Sequence, residues 1–156
     1  MTTKLKAQTS RFGEIEYSTD AVLTFCDGLL GFPLFKSYAL IEHKEGSAFR
    51  WLQSLDEPGL AFLVVDPFVF VNTYEFEIND RDANDLKLAE ETPRVVYTIV
   101  TIPRGKPDEM TMNLAGPIVI NAETRDAKQF VIEHPGFPVR HLLFPKTESN
   151  QETKTA

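Results

Sequence analysis

Cysteine is almost missing from this chain. Cys26 stands alone among 156 residues, which excludes an internal disulfide framework and any zinc site built from clustered thiolates. That usage fits a reducing compartment. No run of about 18 apolar residues occurs, so a transmembrane helix is excluded. The first ten residues carry positive charge but no apolar core segment, and so do not form a secretory signal. The cytoplasm is the expected location. Histidine is scarce too: His43, His134 and His141 share no H-x-x-x-H or H-E-x-x-H spacing, so neither a metal site nor a histidine-based catalytic centre is expected. The glycines of Gly28-Leu-Leu-Gly-Phe-Pro33 match neither phosphate-loop pattern and are filled in with Leu and Phe. They point to a tight apolar turn packed into the fold. Cys26 follows a short apolar run, where a lone thiol is a small core or edge residue. No cofactor is expected.

Positive charge is also in deficit. The net charge is −7, and its distribution says more than its size. Residues 66–91 hold eight acids (Asp66, Glu75, Glu77, Asp80, Asp82, Asp85, Glu90, Glu91) against Arg81 and Lys87, leaving −6, while the other 130 residues hold 15 acids and 14 bases, leaving −1. A basic footprint for nucleic acid is absent, and this local field opposes phosphate. A basic protein is the partner such a field favours. The plain alternative is a solvated acidic face that keeps the protein soluble.

What is present is strand after strand. Apolar or alternating runs occupy residues 12–17, 22–25, 38–41, 49–54, 60–65, 94–102, 110–114, 117–120 and 127–132, separated by turn signals such as Asp27-Gly28, Glu57-Pro58-Gly59 and Arg104-Gly105. The run at 94–102 is β-branched and apolar on both sides, as a central, covered strand should be. Most of the 10 prolines fall between runs, where no ladder hydrogen bond is lost. Only residues 79–91 have a helical pattern, with Asp80 or Asp82 as cap and Ala83 and Leu86 inward. The expected fold is mainly β: a small antiparallel β-barrel-like single domain, residues 1–145, or else a sandwich, with one short helix. The last eleven residues, 146–156, lack any large apolar side chain and are expected to be a disordered tail.

The stretch "FVFVNTYEFEIND" at 68–80 lies inside the acidic segment. Its second half alternates, so Tyr74, Phe76 and Ile78 are expected to face inward from a strand, with Glu75 and Glu77 outward. Further along, Gly116-Pro117 interrupts two apolar runs and marks a corner. Asn113 and Asn121 bracket it, where their side chains can cap freed backbone groups.

Five segments taken in order, "GLLGFP" (28–33), "WLQSLDEPGLAFLVVDPFVF" (51–70), "YEFEI" (74–78), "VVYTIVTIP" (95–103) and "MNLAGPIVINAETRDAKQFVI" (112–132), resemble the flagellar assembly factor FliW family. The resemblance runs from about residue 12 to 144. It implies a non-enzymatic cytoplasmic protein that binds flagellin before export. It also implies binding of the translational regulator CsrA, whose repression of flagellin mRNA the freed protein relieves. No direct nucleic-acid or membrane contact is implied, and nothing resembles a dedicated dimer element, so the free protein is expected to be a monomer. Because CsrA binds RNA it must present positive surface, which makes Glu75 and Glu77, with Asp80 or Asp82 beside them, the expected contact residues. Asn113 and Asn121 match the family's pattern around the corner and are a second candidate contact. The loop at 123–126 is less basic than the resemblance leads one to expect. Two other readings stay open on the residues alone: a small-ligand-binding or enzymatic β-barrel, and an interaction domain whose acids serve only solubility.

Overall fold

The computed structural model describes residues 4–42 and 45–144. His43 and the expected tail at 146–156 lie outside these residues.

Strands β3 (Val22–Phe25), β4 (Ser37–Glu42), β5 (Phe49–Ser54), β6 (Ala61–Val65), β7 (Arg94–Thr101), β9 (Ile118–Asn121) and β10 (Asp126–Gln129) form a closed ring. Its order is β7-β6-β5-β4-β3-β10-β9, and β9 pairs back onto β7 through Arg94↔Asn121 to Tyr97↔Ile118. Closure removes the sheet edges that an open antiparallel sheet would expose. The ring is not wholly antiparallel: β10 runs parallel to β3, with Ala127 opposite Phe25. Parity requires this, because strand direction cannot alternate all the way round a closed ring of seven. The far end of β7 also pairs with β8 (Thr111–Met112), which in turn pairs with β11 (His141–Leu142). A separate hairpin, β1 (Lys4–Thr9) with β2 (Gly13–Ser18), sits on the barrel through the Phe12 ring against Trp51, 5.4 Å between centroids, and the Arg11 guanidinium over the same indole.

The barrel centre is filled. Phe25, Tyr38, Leu52, Val64 and Ile118 are wholly buried there, so side-chain volume occupies the space a ligand chamber would need. A second cluster, around Tyr74, Met112, Leu114 and Val100, closes one end. The third forms outside the ring: Leu86, Val119 and Phe130, with Phe76, Ile78 and Leu88 packed on them. All four residues of β9 are therefore buried, with Ile118 and Ile120 in the barrel core and Val119 under the outer cover. That cover is the acidic segment. It straps across the outside of the barrel and gives β9 the two-sided burial of a covered strand.

Helix α1 (Asp80–Asp85) is shorter than the expected 79–91, and its cap is Asn79, whose Oδ1 accepts from the Asp82 amide at 2.8 Å. Leu86 and Ala83 do face the interior. The helix stops because Lys87 takes a left-handed conformation, φ 57°. The Lys87 amide then donates to Asn84 O and the Leu88 amide to Ala83 O, a Schellman closure with lysine where glycine is usual.

Candidate protein-docking surface

The stretch at 74–79 keeps the alternation expected of it but is not a strand. Tyr74 is buried, Phe76 and Ile78 are half-buried, and Glu75 and Glu77 are exposed. No ladder partner runs beside it among the described residues. Packing rather than hydrogen bonding holds it in place. Tyr74 is the anchor: its ring meets Phe137 edge-on at 4.9 Å and Phe76 at 5.5 Å, and its hydroxyl donates to Leu114 O at 2.6 Å. Burial pushes the phenol pKa up, so it remains a neutral donor throughout the physiological range.

The eight acids of 66–91 divide by task. Asp66 caps the turn Pro67–Val69 by accepting from the Phe68 amide at 2.9 Å. Asp82 and Asp85 turn toward Lys128 on β10, at 3.3 and 3.2 Å, and Asp27 joins them at 3.3 Å. Burial alone would pull the Lys128 ammonium down, but these three carboxylates outweigh it and raise its pKa. Asp82 is thus a clasp between α1 and the barrel. Glu75, Glu77, Asp80, Glu90 and Glu91 are exposed and have no ion pair or side-chain hydrogen bond among the described residues. They are the charge of this segment that no neighbouring side chain neutralises.

A second clasp joins Lys87 Nζ to Asp126 Oδ2 at 2.8 Å. Partial burial raises the Asp126 pKa, but hydrogen bonds from Lys87 and Thr124 more than offset this, so the net shift is below the usual 3.8. A carboxyl lowered on folding adds stability above its unfolded pKa and loses it as pH falls through the folded value. Asp126→Asn should therefore lower Tm at about pH 6, and the gap from the unaltered protein should close as pH falls from there through the lowered Asp126 pKa. Thermal melts across that range check it; a gap that persists in acid would contradict the assignment.

The two asparagines serve the fold. Asn121 is completely buried; its Nδ2 donates to Leu86 O and Lys87 O, and its Oδ1 accepts from the Glu123 and Thr124 amides. It offers no surface to a partner, which corrects its place among the contact candidates. Half-buried Asn113 accepts from the Ala115 amide at 3.0 Å and shapes the corner before Pro117.

Beside Glu75 and Glu77 runs an open groove of about 890 Å³. Its far wall is residues 131–137, which add Glu133 and His134, and Phe76, Ile132 and Phe137 line it from the apolar side. Glu133 was not foreseen: it lies 56 positions beyond Glu77, and nothing in the local pattern links the two. The His134 ring stacks on Phe137 at 4.5 Å and accepts from the Gly136 amide through Nδ1, which gives it a structural role. No group of three or more potential metal ligands occurs among the described residues, and no helix there is long and apolar enough to cross a membrane.

Known proteins of similar sequence converge on one family. Residues 6–143 match the family described as FliW protein. The flagellar assembly factor FliW of Magnetococcus marinus is 41% identical over 147 residues, covering 94% of this chain and 90% of that protein. The FliW of Leptospira biflexa is 38% identical over 146 residues, covering 94% and 95%. A crystal structure of the flagellar assembly factor FliW superposes with a TM-score of 0.81 at 31% identity, covering 92% of this chain and 99% of that one.

Proposed function

The chain belongs to the FliW family of flagellar assembly factors, which are not enzymes, and on that premise we propose that it works as a cytoplasmic adaptor with two alternative protein partners. Before export it holds flagellin as a chaperone. Once flagellin has left, the free protein binds CsrA and relieves repression of flagellin mRNA. The observation that carries the second step is the exposed, unpaired set Glu75, Glu77 and Asp80 on a segment otherwise fastened to the barrel. A protein that binds RNA presents a cationic face. Fixed carboxylates opposite it speed encounter and set orientation, and salt weakens both effects. A rigid strap improves on a mobile one because no ordering entropy is lost on docking.

The test is gel filtration and titration with purified flagellin and CsrA. Glu75→Lys with Glu77→Lys should weaken CsrA binding about tenfold or more at low ionic strength. The loss should shrink as salt rises, with Tm unchanged because both side chains are exposed. Adding flagellin to the unaltered complex should release CsrA. Equal CsrA affinity for the variant at low salt would remove the acidic strap from the proposal, and a stable three-component peak would remove the alternation.

A further inference from the structure

We infer that the groove beside the strap accepts an extended, lysine- or arginine-rich segment of a partner protein as an added β-strand. This rests on reading the acidic face as a protein-docking surface and goes beyond it by naming how the partner is held. Residues 75–78 lie in no helix or strand and alternate in burial as an extended chain does, yet none of them gives or takes a backbone hydrogen bond among the described residues. Across the groove, the Phe130 amide donates to Pro117 O and the Ile132 amide to Ala115 O, each at 2.8 Å. In an extended chain, successive residues aim their backbone groups to opposite sides. Residues 131 and 133 therefore direct theirs away from that ladder, and these too have no partner among the described residues. The ring closes its own edges, but along this groove two short runs of backbone remain unpaired among the described residues.

An unpaired edge is a template for strand addition, where main-chain bonds supply affinity and alternate side chains supply specificity. Here the alternate pockets are of two kinds. Phe76, Ile132 and Phe137 offer apolar contact, while Glu75, Glu77 and Glu133 offer carboxylates. The complementary segment alternates apolar and basic side chains. A second copy of this chain is the wrong occupant, because pairing like edges would bring these carboxylates against their own kind.

The test uses the full chain and a capped peptide of about seven residues alternating lysine with valine, enough to follow a groove of this size at roughly 3.3 Å per residue. Fluorescence anisotropy should show salt-sensitive binding. Of two N-methylated versions, one blocked at the lysines and one at the valines, at least one should bind tenfold or more weakly, since its pairing edge has lost its donors. Val131→Pro, which removes an amide without changing charge, should weaken the parent peptide similarly, and Glu133→Lys should do so mainly at low salt. If the proline variant fails to fold, the N-methylated peptides on the unaltered protein still decide the matter. The proposal is overturned if the parent peptide does not bind, or if both N-methylated versions bind as well as the parent. It is equally overturned if sedimentation shows a dimer that Val131→Pro dissociates. Neither flagellin nor CsrA enters this assay, so its failure leaves the adaptor reading standing. Conversely, unchanged CsrA binding by the Glu75 and Glu77 variants would leave the peptide result standing.

Discussion

Asn121→Ala is expected to destabilise the protein by about 3–5 kcal/mol, read from urea unfolding, a larger loss than any exposed substitution in the acidic strap. The truncation leaves four backbone groups without their partner: the carbonyls of Leu86 and Lys87 and the amides of Glu123 and Thr124. A buried polar group deprived of its hydrogen bond costs about 1–3 kcal/mol. The amides of 123 and 124 lie where water can reach them, so the total falls short of the full sum. Asn121→Asp separates packing from hydrogen bonding. It conserves shape and still accepts from the two amides, but sets a carboxylate against two carbonyls, and it should be no better than alanine. The damage should be directional as well. Asn121 holds the carbonyl of Lys87, the left-handed residue that ends α1, so amide exchange at 86–88 should accelerate more than exchange in β5. A loss below about 1 kcal/mol would show that the asparagine is not the fastening inferred here.

Tyr74→Ala should cost about 3–5 kcal/mol, as expected for deleting a buried aromatic ring. It should also reduce CsrA binding while leaving every glutamate in place. Tyr74 is 3% exposed, and its ring is shared by Phe68, Phe76 and Phe137. Removing it takes away the anchor of a segment that has no ladder to fall back on. Tyr74→Phe is the control. It keeps the ring, strands only Leu114 O, and should cost about 1–2 kcal/mol with CsrA binding nearly intact. If the alanine variant bound CsrA as tightly as the unaltered protein, the strap would not need its anchor to present Glu75 and Glu77.

Much of the fold could be read from residue pattern because short-range chemistry decides it. β5 lies where its alternation and flanking turns put it, at Phe49–Ser54, and β3 at Val22–Phe25. The apolar turn at Gly28 was equally legible. Its φ is +66°, and a Cβ there would stand 2.5 Å from Phe32 O, so glycine is required for both reasons. β1 and β11 escaped notice. The first is the polar, lysine-bearing KLKAQT, with little apolar signal, and the second is a two-residue bridge. The helix end was hidden as well, because Lys87 carries no left-handed preference of its own and tertiary bonds hold it there.

For the candidate site, sequence alone determined which residues bear the charge and which side of the chain they occupy. Period-two alternation places Tyr74, Phe76 and Ile78 opposite Glu75 and Glu77 whether or not a partner strand is present. Only the tertiary structure decided which acids stay free. That depends on Lys128 and Asp126, more than 35 positions away from the strap residues they bind, and no local pattern encodes such a distance. The tertiary structure also separated Asn121 from the surface and brought Glu133 to the groove. The alternation of side chains is set by neighbours along the chain, whereas exposure and charge pairing are set by neighbours in space.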